Sequence, residues 1–181
     1  MTIEAMSEER FWAIIDATVP LADDPERQKQ ALLAALKTLK ADDIAAFEAA
    51  FREHVDRAFT WDLWGAAYVV HGGCSDDGFE YFRVWLLSKG REVFETVLND
   101  PDRLARMELE PGPDGLFEFE EFAYVAAKAW KAVGAEGDIS AKIDVPAGLG
   151  DPDGEPFEED EDHLSVRFPR LWKRYGEDPL G

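Results

Sequence analysis

Trp61-Asp62-Leu63-Trp64-Gly65-Ala66-Ala67-Tyr68-Val69-Val70-His71-Gly72-Gly73 is the stretch that decides the fold. Its apolar residues run all round a helix instead of along one stripe, and such a helix is normally central, with neighbours on every side. Gly72 and Gly73 suit the left-handed backbone that closes a helix C-terminus, so the helix ends there. The apolar run from Leu63 to Val70, interrupted only by Gly65, falls well short of the roughly 20 residues that a membrane span needs. A buried helix in a globular body is the expectation.

Amphipathic helices flank this stretch on both sides. Ser7 caps a first helix with Phe11, Trp12, Ile14 and Ile15 on its apolar face and Pro20 as its stop. Asp24-Pro25 starts a second, with Leu32, Leu33, Leu36 and Leu39. Asp42 or Asp43 opens a third, along which Ile44, Phe47, Phe51, Val55 and Phe59 step by three and four. Beyond the central stretch, Ser75 with Asp76 and Asp77 starts a helix bearing Phe79, Phe82, Trp85 and Leu86, which Gly90 terminates. A short helix over 91–98, a turn at Asp100-Pro101, and a longer helix from Phe119 to Val133 follow. Leu164, Phe168, Leu171, Trp172 and Tyr175 form a closing helix bent at Pro169. Only Ile139–Val145 shows a weak two-residue alternation. The reading is all-α: a single compact domain over residues 1–181, of about seven or eight helices around one core.

Charge is unevenly spread over the 181 residues. Lys and Arg number 19 against 39 Asp and Glu, for a net charge of −20. Residues 136–162 carry 11 of the acidic side chains and a single base, Lys142, so half of the net charge lies in one segment. Pro146, Gly148, Gly150, Pro152, Gly154 and Pro156 break helices and ladders there, which makes it a long acidic loop before the last helix. Such a surface repels phosphate backbones and anionic membranes, so nucleic acid and lipid are not the expected partners. One cysteine, Cys74, forms no internal disulfide and fits a reducing compartment. Residues 1–10 lack a basic stretch followed by an apolar one, which points to the cytoplasm.

The densest polar cluster is His71 to Gly78. Cys74 at a helix start, with His71 three residues back, has the residue types of an activated thiol, although Asp76 and Asp77 oppose a thiolate. Asp76, Asp77 and Asp62 offer hard oxygen ligands for a cation such as Mg²⁺. Against both stands a simple interhelical turn: glycines at left-handed dihedrals, Ser75 as cap, and the two Asp on the helix macrodipole. Arg83 sits at the edge of an apolar face, where a charge needs a partner, and Asp62, Asp76 and Glu80 are the candidates. His54 reads as a helix-face residue and His163 as solvated. Asp151-Pro152-Asp153-Gly154-Glu155 with Glu159 and Asp162 imitates a calcium loop, but Pro156 occupies the position that needs glycine.

Trp61–Tyr68, the turn Gly72-Gly73-Cys74-Ser75-Asp76-Asp77-Gly78-Phe79, Tyr81-Phe82-Arg83-Val84-Trp85-Leu86-Leu87 and Gly90-Arg91 together resemble the signature of a bacterial family, domain of unknown function 4240. The resemblance extends from Phe11-Trp12 through Phe119–Tyr124 to Gly154–Phe157 and Phe168–Trp172. It implies a fold unit and a compartment, with Asp62, the Cys74–Asp77 turn, Arg83 and the loop ending in Phe157 as parts of the family pattern. It brings no catalytic residues and no cofactor. Two functions remain. One is a non-enzymatic helical module that binds a protein partner, a basic one, through an acidic surface. The other is a small metal- or Cys-dependent enzyme centred on Asp62, His71, Cys74, Ser75, Asp76, Asp77 and Arg83. Six tryptophans also suggest self-association through Trp130 or Trp172.

Overall fold

The architecture was taken from a computed structural model that describes residues 4–143 and 150–181. Four of the predicted helices start where a short side chain supplies an acceptor for their free N–H groups. Ser7, Asp24 and Ser75 accept from the backbone N–H of Arg10, Arg27 and Gly78, and begin α1 (Glu8–Asp16), α2 (Pro25–Leu36) and α5 (Asp76–Ser88). Thr60 does the same for α4 (Trp61–His71). By contrast, α3 (Ala41–Arg57) has Lys40 at its cap position with no side-chain bond; Asp42 and Asp43 lie inside its first turn, at the positive end of the macrodipole, and Asp43 also accepts from Arg10. The remaining α-helices are α6 (Arg91–Asn99), α7 (Val125–Ala132), α8 (Glu161–Arg167) and α9 (Pro169–Tyr175).

Nine α-helices therefore appear among the described residues, because the closing helix is two. Pro169 offers no N–H and pushes Phe168 out of the helical region, to φ −128° and ψ 63°, so α8 and α9 meet at a joint. The predicted helix from Phe119 begins as a 3-10 turn, Glu120–Tyr124, before α7. Ile139–Ala141, part of the weakly alternating stretch, is also a 3-10 turn; the last two residues of that stretch, 144–145, lie outside the described residues. Among the described residues no strand forms, and a single bridge joins Thr60 to Asp153.

The buried side chains form one continuous cluster. Leu63, Ala66, Ala67 and Val70 of α4 are fully buried, between α5 on one side and α9 with the 3-10 turn Pro101–Arg106 on another. Phe11 and Trp12 of α1 pack against Phe47 and Phe94, and His54 stacks on Phe11 at 4.7 Å instead of riding on a free helix face. His163 is half-buried, not solvated. Trp130 is buried and its indole donates to Gly137 O, which removes it as an interface residue.

Candidate functional site

The turn after α4 is built as a helix-to-helix connection. Gly72 takes φ 69° and closes α4, and Gly73 takes φ 140°. Trp64 donates its indole N–H to Cys74 O at 3.0 Å, which ties the turn back onto α4. Burial pushes the Cys74 thiol up to about 12, with the charges of Glu118 and Asp76 adding to it, so the thiol stays protonated at neutral pH. His71 faces elsewhere. Its Nε2 accepts from Phe117 N–H at 3.1 Å, and its Nδ1 stands 3.9 Å from Glu118. Burial takes the imidazole down to about 4, so it is neutral. Among the described residues no hydrogen bond joins His71 to Cys74, and the thiol–imidazole pair expected from the sequence is not formed.

Asp62 is also committed. Its Oδ1 accepts from Arg167 Nε at 3.0 Å and Nη2 at 2.7 Å, and the same guanidinium donates to Glu155 O and Pro156 O. That fork lays the described part of the acidic loop along α4. Trp61 N–H donates to Asp153 O, and Asp153 N–H donates to Phe59 O. Phe157 packs against Trp61 and Tyr68, and Tyr68 donates to Glu159. Residues 150–160 thus form a strap on α4, where the sequence suggested only a long acidic loop. Among the described residues no three His, Cys, Asp or Glu side chains come together as a metal site, and Asp62 of the Asp62, Asp76, Asp77 set is paired with Arg167.

Between the strap and the start of α5 lies a groove of about 430 Å³. Trp61 and Trp64, half-exposed, stack face to face at 5.4 Å and 9° along one side. Asp76, Asp77 and Glu80 from α5 and Asp151 from the strap supply four carboxylates. Arg83 lines the inner end, only 4% exposed. It forms no ion pair among the described residues. Its Nη1 donates to Val55 O at 2.9 Å, its guanidinium lies about 5 Å from the rings of Phe59 and Phe79, and its Nε has no partner. Burial lowers its pKa, and the charges of Glu80 and Asp56 oppose that. The expected carboxylate partner is replaced by a carbonyl and two aromatic faces.

Residues 6–132 match the family model described as a protein of unknown function, DUF4240. The chain belongs to that family. No curated protein and no solved structure matches it. The DUF4240 match runs from α1 to the end of α7, so the strap and the α8–α9 joint lie beyond it. Within the groove, Trp61, Trp64, Asp76, Asp77, Glu80 and Arg83 belong to the matched part, while Asp151, Pro152 and the clamp Arg167 do not. Of the sequence candidates, Asp76, Asp77 and Arg83 converge on the groove. Asp62, His71 and Cys74 serve the structure around it, and Ser75 is a cap. Trp61, Trp64 and Glu80 went unnoticed as site residues, although Glu80 follows Asp76 and Asp77 by one helical turn.

Proposed function

We propose that this DUF4240 protein is a non-enzymatic binding module that receives Lys or Arg side chains of a basic protein partner in the groove between α5 and the strap. The observation that carries the reading is the pairing of stacked, half-exposed indoles with four carboxylates from two distant parts of the chain. A cation is attracted by both the carboxylates and the faces of aromatic rings. The net charge of −20 adds long-range attraction for a basic partner. Four carboxylates around one buried guanidinium make the same place hostile to an anion. The reading sets the protein in a bacterial cytoplasm, where a lone, protonated thiol is unremarkable.

The test is fluorescence anisotropy of a labelled oligolysine peptide, with oligoglutamate as control. Each exposed ion pair contributes about 0.2–1 kcal/mol, so the Asp76→Asn, Asp77→Asn double variant should bind about two- to thirtyfold more weakly. Trp61→Ala should weaken binding as well, and raising salt from about 20 to about 300 mM should weaken it steeply. Retained affinity in the double variant, or equal affinity for oligoglutamate, would refute the reading.

A further inference from the structure

A second concavity, about 410 Å³, lies between α3, α7 and the 3-10 turn Ile139–Ala141, on the other side of Glu80 from the groove. Its walls are apolar, from Val55, Val84, Ala127 and Ile139. Glu48 of α3 lines it and is 4% exposed. The Glu48 carboxyl is half used. Oε1 accepts from Arg52 Nε at 2.6 Å, while Oε2 is buried without a partner among the described residues. Arg52 has no further call on Oε2, since its Nη2 donates to Ser140 Oγ at 3.0 Å, holding the turn to α3. Asp56, Glu80 and Asp138 add further carboxylates to the lining, against the single guanidinium of Arg52.

A buried carboxylate oxygen without a donor is costly, and the cost is relieved when a donor arrives. The arrangement has partly apolar walls, one buried and unpartnered acceptor on a lining residue, and excess negative charge around it. We propose that this cleft binds a small organic ammonium ion with an apolar body, its nitrogen donating to Glu48 Oε2. The apolar body lies against Val55, Val84 and Ile139, and Asp56 and Glu80 add attraction for the cation. A metal ion does not suit the place, because no three carboxylates among the described residues come close enough to share one. The volume is at the small end of ligand sites, which fits a single ring or a short chain. Burial also raises the pKa of Glu48, against the opposing charge of Arg52, and that of Asp56, against Arg83 and Arg52.

The experiment is isothermal titration calorimetry of the full chain with 2-phenylethylammonium, and with 2-phenylethanol and 3-phenylpropionate as the neutral and anionic controls. The ammonium should bind at least about tenfold more tightly than the alcohol, and the carboxylate should not bind. Glu48→Gln keeps an acceptor for Arg52 but removes the charge, and should weaken the ammonium about tenfold. Ala127→Phe fills the cleft from its outer edge and should abolish binding, which keeps the test decisive if Glu48→Gln fails to fold. Glu92→Gln, an exposed carboxylate on α6 outside both the cleft and the groove, should leave it unchanged. No saturation of the wild-type chain, equal affinity for alcohol and ammonium, or undiminished binding in Ala127→Phe would overturn the proposal.

Discussion

Acid should loosen this protein through His71, and the size of the effect follows from its surroundings. Nε2 accepts from Phe117 N–H, so the neutral ring carries its proton on Nδ1. Protonating Nε2 would set two N–H donors against each other inside the core and break that bond. Burial accordingly takes the folded pKa from 6.5 to about 4. Above pH 6.5 both folded and unfolded chains hold a neutral imidazole. Below it the unfolded chain takes up a proton that the native chain refuses, so stability falls as pH drops toward about 4. Two and a half pH units at about 1.4 kcal/mol each give a loss of about 3 kcal/mol from this residue. His71→Gln retains an acceptor for Phe117 and does not titrate. Urea unfolding of both chains across the acid range, followed by Trp fluorescence, isolates the contribution: Trp85 stacks on Phe117 at 4.1 Å and reports its release. Wild type should be the more stable at neutral pH, and the gap should narrow and reverse on acidification. A gap that does not change with pH would refute the argument.

Gly65 leaves no room for a side chain, since a Cβ there would lie 2.7 Å from a Phe168 ring carbon and 3.2 Å from Phe157. Gly65→Ala should therefore lower stability in urea by about 1–2 kcal/mol despite its better helix propensity. Asp102 is buried and accepts from the backbone N–H of Arg170 and Leu171, holding the start of α9. Asp102→Ala should cost about 2–3 kcal/mol in thermal unfolding, and Asp102→Asn less. Lys89 is buried over the Trp85 ring with its pKa taken down to about 8 by burial. Lys89→Met should add about 1 kcal/mol at neutral pH. It should also remove the gain in stability that wild type shows as pH rises above about 8, where the native chain gives up its proton before the unfolded one.

Local chemistry is what the sequence made legible. Ser7, Asp24 and Ser75 are caps because a short side-chain acceptor satisfies N–H groups two or three residues away, and Gly72 closes α4 because only local dihedrals are involved. The all-round apolar pattern of Trp61–Val70 correctly put α4 at the centre. What failed involves distant partners. Arg83 was rightly seen as a charge in need of company, but Val55 O is 28 residues away and no pattern in either segment announces it. The strap was invisible because it depends on Arg167 reaching Asp62 across 105 residues. Glu48 did leave a signal: it falls on the stripe of Ile44, Phe51 and Val55, where a carboxylate is out of place.

The strap and the α8–α9 joint have a consequence for how the chain reaches its native state. α4 packs on α5, its neighbour in sequence, yet its outer side is covered by residues that come far later. Glu159 meets Tyr68 across 91 positions, Arg167 meets Asp62 across 105, and Phe168 closes over Gly65. Until those residues arrive, Trp61, Trp64 and Tyr68 are an open apolar surface on an otherwise finished body. Such surfaces recruit other chains, and contacts of long sequence separation form slowly. Closure over α4 thus waits on the last quarter of the chain, and cutting that part away would leave the centre of the fold open on one side.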